Sequence, residues 1–386
     1  METGKFDFDK IVLRRGSGSC KWDSRGNVIP LWVADMDFQT ATCIIDALRD
    51  RVEHGVFGYT YVDDNYYDAL IDWFSSRHLY SFNREDVIYT PGVVPAISAI
   101  IKALVPEDKG VIVQTPVYNC FFSSIRNNSC RIVENPLLRK DISAGEFTYE
   151  MDFEGLERLA SDADNVLLLL CNPHNPAGRV WTREELERVA DICGRNGVTV
   201  VSDEIHCELT RPRLTYVPYG TVSGDAVVCV SPSKAFNTAG LQIANIIVND
   251  AEKRALIDRA VNINEVCDVN PFGVTALKAA YSSEGSEWLD ALREYLWENY
   301  RFLREYLGER LPQCPVARLE GTYLVWLDIS ALGLGADETE EMLLEKGRVW
   351  VNSGMMYGTD GYIRINIACP RSTLEEGLER ICEALN

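Results

Sequence analysis

Residues 227–234 read VVCVSPSK, an apolar run of strand length that ends in a small polar turn and a lysine. Residues 198–206, VTVVSDEIH, show the same pattern one unit earlier, with an acid after the run. Runs of β-branched residues without polar alternation are typical of strands that are buried on both faces of a parallel sheet. Because such sheets bind ligands beyond the carboxyl ends of their strands, the polar residues after each run are candidates for function.

The same alternation of apolar runs and helical stretches extends on both sides of these two segments. It predicts βαβ units and a largely parallel sheet between about residues 86 and 250. One of the helices should begin at Thr182, where Glu185 can complete a capping box. The expected strands are at 86–89, 111–113, 166–170, 198–201, 227–230 and 243–248.

The C-terminal part of the chain has a different pattern. Residues 286–311 carry leucines at helical spacing, and short strands are expected at 323–327, 349–351 and 362–367. A second capping box at 372–375 should open a terminal helix. These features predict a large domain at 46–285 and a small α/β domain at 286–386, on which residues 1–45 pack.

Composition excludes several classes of protein. With 38 basic and 58 acidic side chains, the formal charge of −20 disfavours binding to nucleic acid. No apolar run approaches the roughly 20 residues of a membrane helix, and the first residues lack a secretory pattern, so we expect a cytoplasmic protein without a membrane partner. The 12 cysteines are too dispersed for a disulfide scaffold and form no closely spaced metal-binding pairs.

Three strand ends suggest a cofactor site. Gly92 after the first strand allows the amides of Val93 and Val94, at a helix N-terminus, to bind an anion such as phosphate. A tight turn without a ligand explains the same residues. Tyr118 after the second strand can stack on a flat cofactor or pack in the core. Asn175 lies in NPHNPAG at 172–178, where paired prolines fix an irregular turn that presents its side chain.

The last candidates are charged or titratable. Asp203 at the end of a buried strand requires a cation, either a protonated ring nitrogen or an arginine, and His206 can be a core histidine. Lys234 is either a surface lysine or a desolvated amine whose pKa is lowered so that it forms a Schiff base. Arg364 in an alternating strand either clamps a carboxylate or lies on a solvated face.

Together, Asn175, Asp203, Lys234 in Ser-x-Ser-Lys and Arg364 resemble the fold-type I pyridoxal-phosphate enzymes of the aspartate aminotransferase superfamily (class I/II), across most of the chain. The resemblance implies a large domain with a mostly parallel, seven-stranded-type sheet and a small α/β C-terminal domain. The segments FDFDK (6–10), ADMDF (34–38), HGVFGY (54–59), DEIH (203–206) and GTYLVW (321–326) resemble the MalY/PatB branch of cystathionine β-lyases.

The resemblance also implies residue roles. Lys234, Asp203 and Tyr118 are the catalytic residues: Lys234 forms the Schiff base and moves protons at Cα, Asp203 keeps the pyridine nitrogen protonated, and Tyr118 stacks on the ring. Arg364 binds the substrate carboxylate, and Asn175 bonds the phenolic oxygen and contributes to the substrate site. The remaining residues that the resemblance places around the cofactor, several of them at its phosphate, are Ser231, Ser233, His206, Gly92, Val93, Val94 and Tyr59.

The implied activity is α,β-elimination of cystathionine or another S-substituted cysteine to a thiol, pyruvate and ammonia. An aminotransferase and a cofactor-bound regulatory protein that sequesters a transcription factor are the alternatives. Tyr59 would reach a neighbouring subunit's cofactor and contact its substrate, so a homodimer with shared sites is expected. Two positions depart from the aminotransferase pattern: His206 stands where a tyrosine is usual, and Gln242 where a phosphate-binding arginine is usual.

Overall fold

The computed structural model describes residues 5–263, 265 and 268–386. Residues 1–4, which belong to the expected N-terminal segment of the small domain, lie outside this set. The helices are α1 (Cys20–Asp23), α2 (Thr42–His54), α3 (Asp64–His78), α4 (Val93–Leu104), α5 (Asn119–Asn127), α6 (Phe153–Ala160), α7 (Arg183–Arg195), α8 (Ala251–Asn262), α9 (Pro271–Ala280), α10 (Ser283–Arg310), α11 (Ala336–Met342) and α12 (Arg371–Leu385).

The strands form two larger sheets and one short pair within the described residues. They are β1 (Ile29–Pro30), β2 (Val87–Thr90), β3 (Gly110–Val113), β4 (Arg131–Glu134), β5 (Leu138–Ser143), β6 (Glu146–Glu150), β7 (Asn165–Cys171), β8 (Thr199–Asp203), β9 (Val227–Val230), β10 (Ala244–Val248), β11 (Val316–Ala317), β12 (Leu324–Asp328), β13 (Val349–Trp350), β14 (Asn352–Ser353) and β15 (Tyr362–Asn366).

The larger sheet has seven strands in the order β2-β10-β9-β8-β7-β3-β4. β10 runs antiparallel to β2 and β9, and the other four pairs of the sheet are parallel, so the mostly parallel sheet of the sequence prediction is confirmed. Alternate residues of the central strands enter separate apolar cores on its two faces; Val227 and Cys229 lie in one core, Val228 and Val230 in the other. Because both faces are covered, these strands are apolar throughout.

The second sheet has six strands in the order β14-β15-β12-β11-β6-β5. Its hairpin of β5 and β6 comes from the middle of the chain, because Glu146 and Phe147 pair with Val316 and Ala317 of β11. The N-terminal segment meets the C-terminal region where β1 pairs in parallel with β13. The division at residues 45/46 and 285/286 stays a prediction, to which the structure adds that this hairpin shares a sheet with the C-terminal strands.

The two capping boxes predicted from the sequence have different outcomes. The Thr182 hydroxyl accepts the Glu185 N–H at 3.2 Å and the Glu185 carboxylate accepts the Thr182 N–H at 2.8 Å, as the capping box predicts. The expected box at 372–375 is wrong, because α12 begins at Arg371 and has no side-chain cap. Among the described residues, no helix combines the length and apolar character needed to cross a bilayer.

Candidate active site

A cavity of about 270 Å³ lies at the carboxyl ends of the central parallel strands. Its position agrees with the rule that open α/β sheets bind ligands at this edge. The predicted site residues that line it are Gly92, Val93, Val94, Tyr118, Asn175, Asp203, His206, Ser233 and Lys234. The sequence therefore identified most of the wall, although the residues come from five different strand ends.

Lys234 is held at the floor of this cavity by the turn that follows β9. Its Nζ donates a hydrogen bond to the backbone carbonyl of Ala34 at 2.6 Å. Removal from water, together with the nearby Arg364 guanidinium, lowers the pKa of this amine to about 8. The interpretation of Lys234 as a solvated surface lysine is thus wrong, and a larger fraction of the amine is uncharged and nucleophilic near neutral pH than in a solvated lysine.

Asp203 ends β8 and is only 4% exposed. One carboxylate oxygen accepts the Ile205 N–H at 3.1 Å. Burial raises the pKa of Asp203 to about 6, while the Ile205 N–H and the charge of Lys234 act in the opposite direction. Within the described residues no arginine or lysine forms an ion pair with Asp203, so the salt-bridge alternative is wrong. A buried acid that faces a cavity and forms no ion pair is suited to bind a cationic atom of a ligand.

His206 lies beside Asp203 in the cavity wall and is 3% exposed. Burial lowers the pKa of His206 well below its usual value, and the charges of Lys234 and Arg364 act in the same direction. Its Nδ1 has no hydrogen-bond partner among the described residues, which differs from a core histidine with satisfied nitrogens. The ring is therefore neutral and faces the cavity.

The other end of the cavity is the N-terminus of α4. No side chain caps this helix, and Gly92, Val93 and Val94 line the cavity where its first amides are free to bind an anion. Gly92 has φ 176°, an extended conformation open to any residue, so the predicted conformational need for glycine is wrong. An added Cβ would instead lie 3.3 Å from Pro95 Cδ.

The serines of the Lys234 turn have different environments. Ser233 lines the cavity, whereas the Ser231 hydroxyl bonds the carbonyl of Ile243 at 2.6 Å and accepts the Ser233 N–H at 3.1 Å. Ser231 thus fixes the turn behind Ser233, and its expected contact with an anion stays a prediction. Gln242 also lines this end, which leaves the anion site without an arginine from that position.

Arg364 lies on β15 and is 3% exposed, so the alternative of a solvated strand face is wrong. Its Nη1 donates to Oδ1 of Asn175 at 3.1 Å, and its Nη2 donates to the carbonyl of Trp32 at 2.8 Å. The guanidinium lies 4.8 Å from the ring centroid of Tyr357. No carboxylate of the described residues pairs with it, and a buried guanidinium in this condition is suited to the carboxylate of a ligand.

Tyr118 and Tyr59 lie in opposite environments. Tyr118 precedes α5 and lines the cavity, where burial raises its pKa strongly. Tyr59 follows α2 and is 94% exposed, and its neighbours Val56, Phe57 and Tyr61 are also exposed. Tyr59 does not line the cavity of its own chain, and its expected role in a second subunit stays a prediction.

Sequence reasoning did not assign site roles to Ala34, Trp32 and Tyr323. The Ala34 carbonyl binds Lys234, the Trp32 carbonyl binds Arg364, and the Tyr323 hydroxyl donates to the Ala34 carbonyl at 3.0 Å. Backbone acceptors carry no residue-type signal. Only the position of Ala34 and Tyr323 within the ADMDF and GTYLVW segments, and of Trp32 just before the first of them, could have identified these residues.

Comparisons with known proteins identify the family to which this chain is similar. The family described as "Aminotransferase class I and II" matches residues 26–381. Cystathionine beta-lyase PatB of Bacillus subtilis is 41% identical over 392 residues, which cover 98% of this chain and 100% of that protein.

Two solved structures share the fold over nearly the full chain. Cystalysin from Treponema denticola, which contains a pyridoxal 5′-phosphate cofactor, superposes with a TM-score of 0.94 at 33% identity, covering 98% of each chain. The pyridoxal-phosphate-bound C–S lyase from Staphylococcus hominis superposes with a TM-score of 0.91 at 31% identity, covering 99% of each chain.

Proposed function

This chain belongs to the class I and II aminotransferase family, and we propose that Lys234 and Asp203 are the central catalytic residues of a pyridoxal-phosphate-dependent C–S β-lyase. Its reaction is the α,β-elimination of cystathionine or another S-substituted cysteine to a thiol, pyruvate and ammonia. The cystathionine β-lyase and C–S lyase names of its relatives favour this reaction over the aminotransferase and regulatory alternatives.

One observation carries the assignment of the site. An amine whose pKa is lowered to about 8 and an acid without a cation partner line the same buried cavity, within the described residues. The amine is suited to join an aldehyde, and the acid is suited to a protonated ring nitrogen. The predicted cofactor therefore fits the residues that are present.

Other residues of the cavity would bind the ring face, the phenolic oxygen and the phosphate of the cofactor. Tyr118 would cover the ring face, Asn175 would bond the phenolic oxygen, and His206 would line the pocket beside Asp203. The phosphate would be bound by the α4 amides of Gly92, Val93 and Val94, by Ser233, and by Ser231 after rearrangement of its hydroxyl. Amides and hydroxyls supply this binding because Gln242 brings no charge.

The chain's own residues would then act on the substrate. Bound pyridoxal phosphate supplies an electron sink that makes the Cα proton acidic. Arg364 would bind the α-carboxylate in place of its present backbone acceptor, with Asn175 and the partner's Tyr59 completing the substrate site. Lys234 would remove the Cα proton, and loss of that proton allows the Cβ–S bond to break with departure of the thiol.

Activity is tested by incubating the purified protein with cystathionine. Thiol and pyruvate formed in many equivalents per chain support the lyase, and a Lys234→Ala control should form neither. Conversion of a single equivalent of cofactor to its amine form would instead support the aminotransferase alternative. A Lys234→Ala variant that kept the cellular phenotype of the wild type would support the regulatory alternative.

We also propose that the active form is a homodimer in which Tyr59 enters the partner's site. Its 94% exposure, next to exposed Val56, Phe57 and Tyr61, supports an interface at this loop. Co-expression of Tyr59→Ala chains with Lys234→Ala chains tests it, because a mixed dimer would contain one site with both residues. Recovery of activity above either variant alone is expected, and its absence would place Tyr59 in its own chain's site. The cytoplasmic location stays a prediction.

A further inference from the structure

The backbone carbonyl of Ala34 accepts two hydrogen bonds from side chains. Lys234 Nζ donates to it at 2.6 Å and the Tyr323 hydroxyl donates to it at 3.0 Å. Tyr323 is fully buried, and its ring lies edge-on to His206 with centroids 6.1 Å apart. The phenol therefore shares the acceptor of the reactive amine without lining the cofactor end of the cavity.

The Ala34 carbonyl is held in position by its neighbours. Asn366 Nδ2 donates to the carbonyl of Val33 at 2.6 Å and to that of Asp35 at 2.7 Å, so the two peptides that flank the Ala34–Asp35 peptide are fixed. Because the peptide cannot easily rotate, its oxygen marks one fixed place where the amine rests when it is not joined to a cofactor.

Several charged and titratable groups face the Lys234 amine. Arg364 lowers its pKa, whereas Asp35, Asp203 and Cys120 raise it. His206 also lies within electrostatic range of the amine. Tyr323 differs from these groups because its hydroxyl dipole, pointing its hydrogen at the shared oxygen, weakens that oxygen as an acceptor for an ammonium group.

We propose that Tyr323 is a positioning residue for Lys234: by sharing the Ala34 carbonyl, it holds the resting place of the amine and favours its uncharged form. The proposal rests on the proposed function, since only an uncharged Lys234 can join the cofactor or remove the Cα proton. Tyr323 does not line the cavity and acts only through the amine, so the effect should be on proton transfer and not on the choice of substrate.

The first test titrates Lys234 without catalysis. Full-length protein freed of cofactor is acetylated with trace acetic anhydride across a pH series, and the labelling rate at Lys234 is measured by peptide mass spectrometry. In Tyr323→Phe the pH of half-maximal reactivity should rise by about half a unit, because the carbonyl then serves the ammonium group alone.

The second test uses the holoenzyme with cystathionine. The kcat of Tyr323→Phe should fall roughly threefold on the acid side of the profile and approach the wild-type value at high pH, with KM little changed. Tyr300→Phe is the matched control, because the buried Tyr300 hydroxyl also donates to a backbone carbonyl, that of Ala317 at 3.1 Å, outside the cavity.

The outcomes distinguish a failure of the role proposed for Tyr323 from a failure of the proposed lyase activity. An unshifted Lys234 titration in Tyr323→Phe overturns the role of Tyr323, as does a loss of kcat that is equal at every pH or matched by Tyr300→Phe. Thermal unfolding shows whether each variant is folded, and the labelling experiment remains decisive even if turnover is lost. Failure of the wild type to release thiol would instead contradict the proposed function, and the titration result would still be valid.

Discussion

Asp203 and Glu208 are buried acids on one stretch of chain, yet their environments are opposite. Glu208 accepts hydrogen bonds from the Trp73 indole and from His78, both at 2.6 Å, and pairs with Arg77 at 3.4 Å. Burial alone would raise its pKa, but His78 and Arg77 lower it to about 2. Asp203 is equally buried and its pKa is raised to about 6.

The difference shows how a functional acid is recognised in a fold. The protein supplies its own cations where an acid supports the structure, and it leaves the cation to a ligand where the acid serves the site. His78, Cys207 and Glu208 also lie close enough together to resemble a metal site. Since the Glu208 oxygens already have three donors, we interpret this cluster as structural.

The largest expected effect is on catalysis at Asp203. Asp203→Asn should lower kcat/KM for cystathionine by about a thousandfold or more, because a neutral amide cannot keep the ring nitrogen protonated. Glu208→Gln is the matched control and should stay within about threefold of the wild type when assayed at 25 °C, since its contacts lie outside the cavity. Similar losses in the two variants would remove the distinction between the two acids.

The next effect is on stability, where Glu208 is expected to matter more than Asp203. Glu208→Gln should lower the free energy of unfolding by about 3 kcal/mol, because it removes the buried charged partner of His78 and Arg77 and leaves Arg77 only its pair with the exposed Asp290. A depressed acid stabilises the folded state above its unfolded pKa, so the wild type should lose this contribution as pH falls from 4.5 towards 2. Denaturant unfolding at several pH values measures both. An unchanged midpoint in the variant would contradict the pairing.

A smaller effect is expected for the protein without cofactor. Asp203 has a pKa above its unfolded value, so it opposes folding increasingly as pH rises from 3.8 to about 6, with the full effect above pH 6 and none below 3.8. At pH 8, cofactor-free Asp203→Asn should therefore be more stable than the cofactor-free wild type by about 2 kcal/mol. The difference should shrink as pH falls towards 5. Thermal unfolding of both proteins over this range would reveal a variant that is instead less stable, which would contradict an unpaired acid.

The smallest effect is expected at Glu204, which lies between the two acids in sequence. Burial raises its pKa to about 8, and its carboxyl group bonds the Ser202 hydroxyl, the Tyr216 hydroxyl and the Tyr219 N–H. At pH 4.5 the group is protonated in the folded state, so Glu204→Gln should change the free energy of unfolding there by less than about 1 kcal/mol. Because its pKa is higher in the folded than in the unfolded state, the wild type should lose stability as pH rises from 4.5 towards 8, and the variant should lack this loss. A variant with the same pH dependence as the wild type over this range would mean that Glu204 is charged in the folded state.

The sequence predicted the central sheet well because its strands are uniformly apolar, and it placed β7, β8 and β9 within a residue or two. It missed β4 and β5, whose sequences RIVE and LRKDIS have no apolar run because these strands are largely exposed. It also missed that the β5 and β6 hairpin pairs with β11, since strand partners far apart in sequence leave no local pattern.

By itself, the sequence determined the fold class and the residue types at each strand end, since local apolar periodicity and turn chemistry suffice for both. It could not distinguish Asp203 from Glu208, or Lys234 from a surface lysine, because each pair has the same chemistry in isolation. Only the tertiary structure decided which charges are paired, which line the cavity, and that the Ala34 carbonyl receives both Lys234 and Tyr323. These outcomes depend on burial and on distances between groups up to hundreds of residues apart, which set the local dielectric and the available partners.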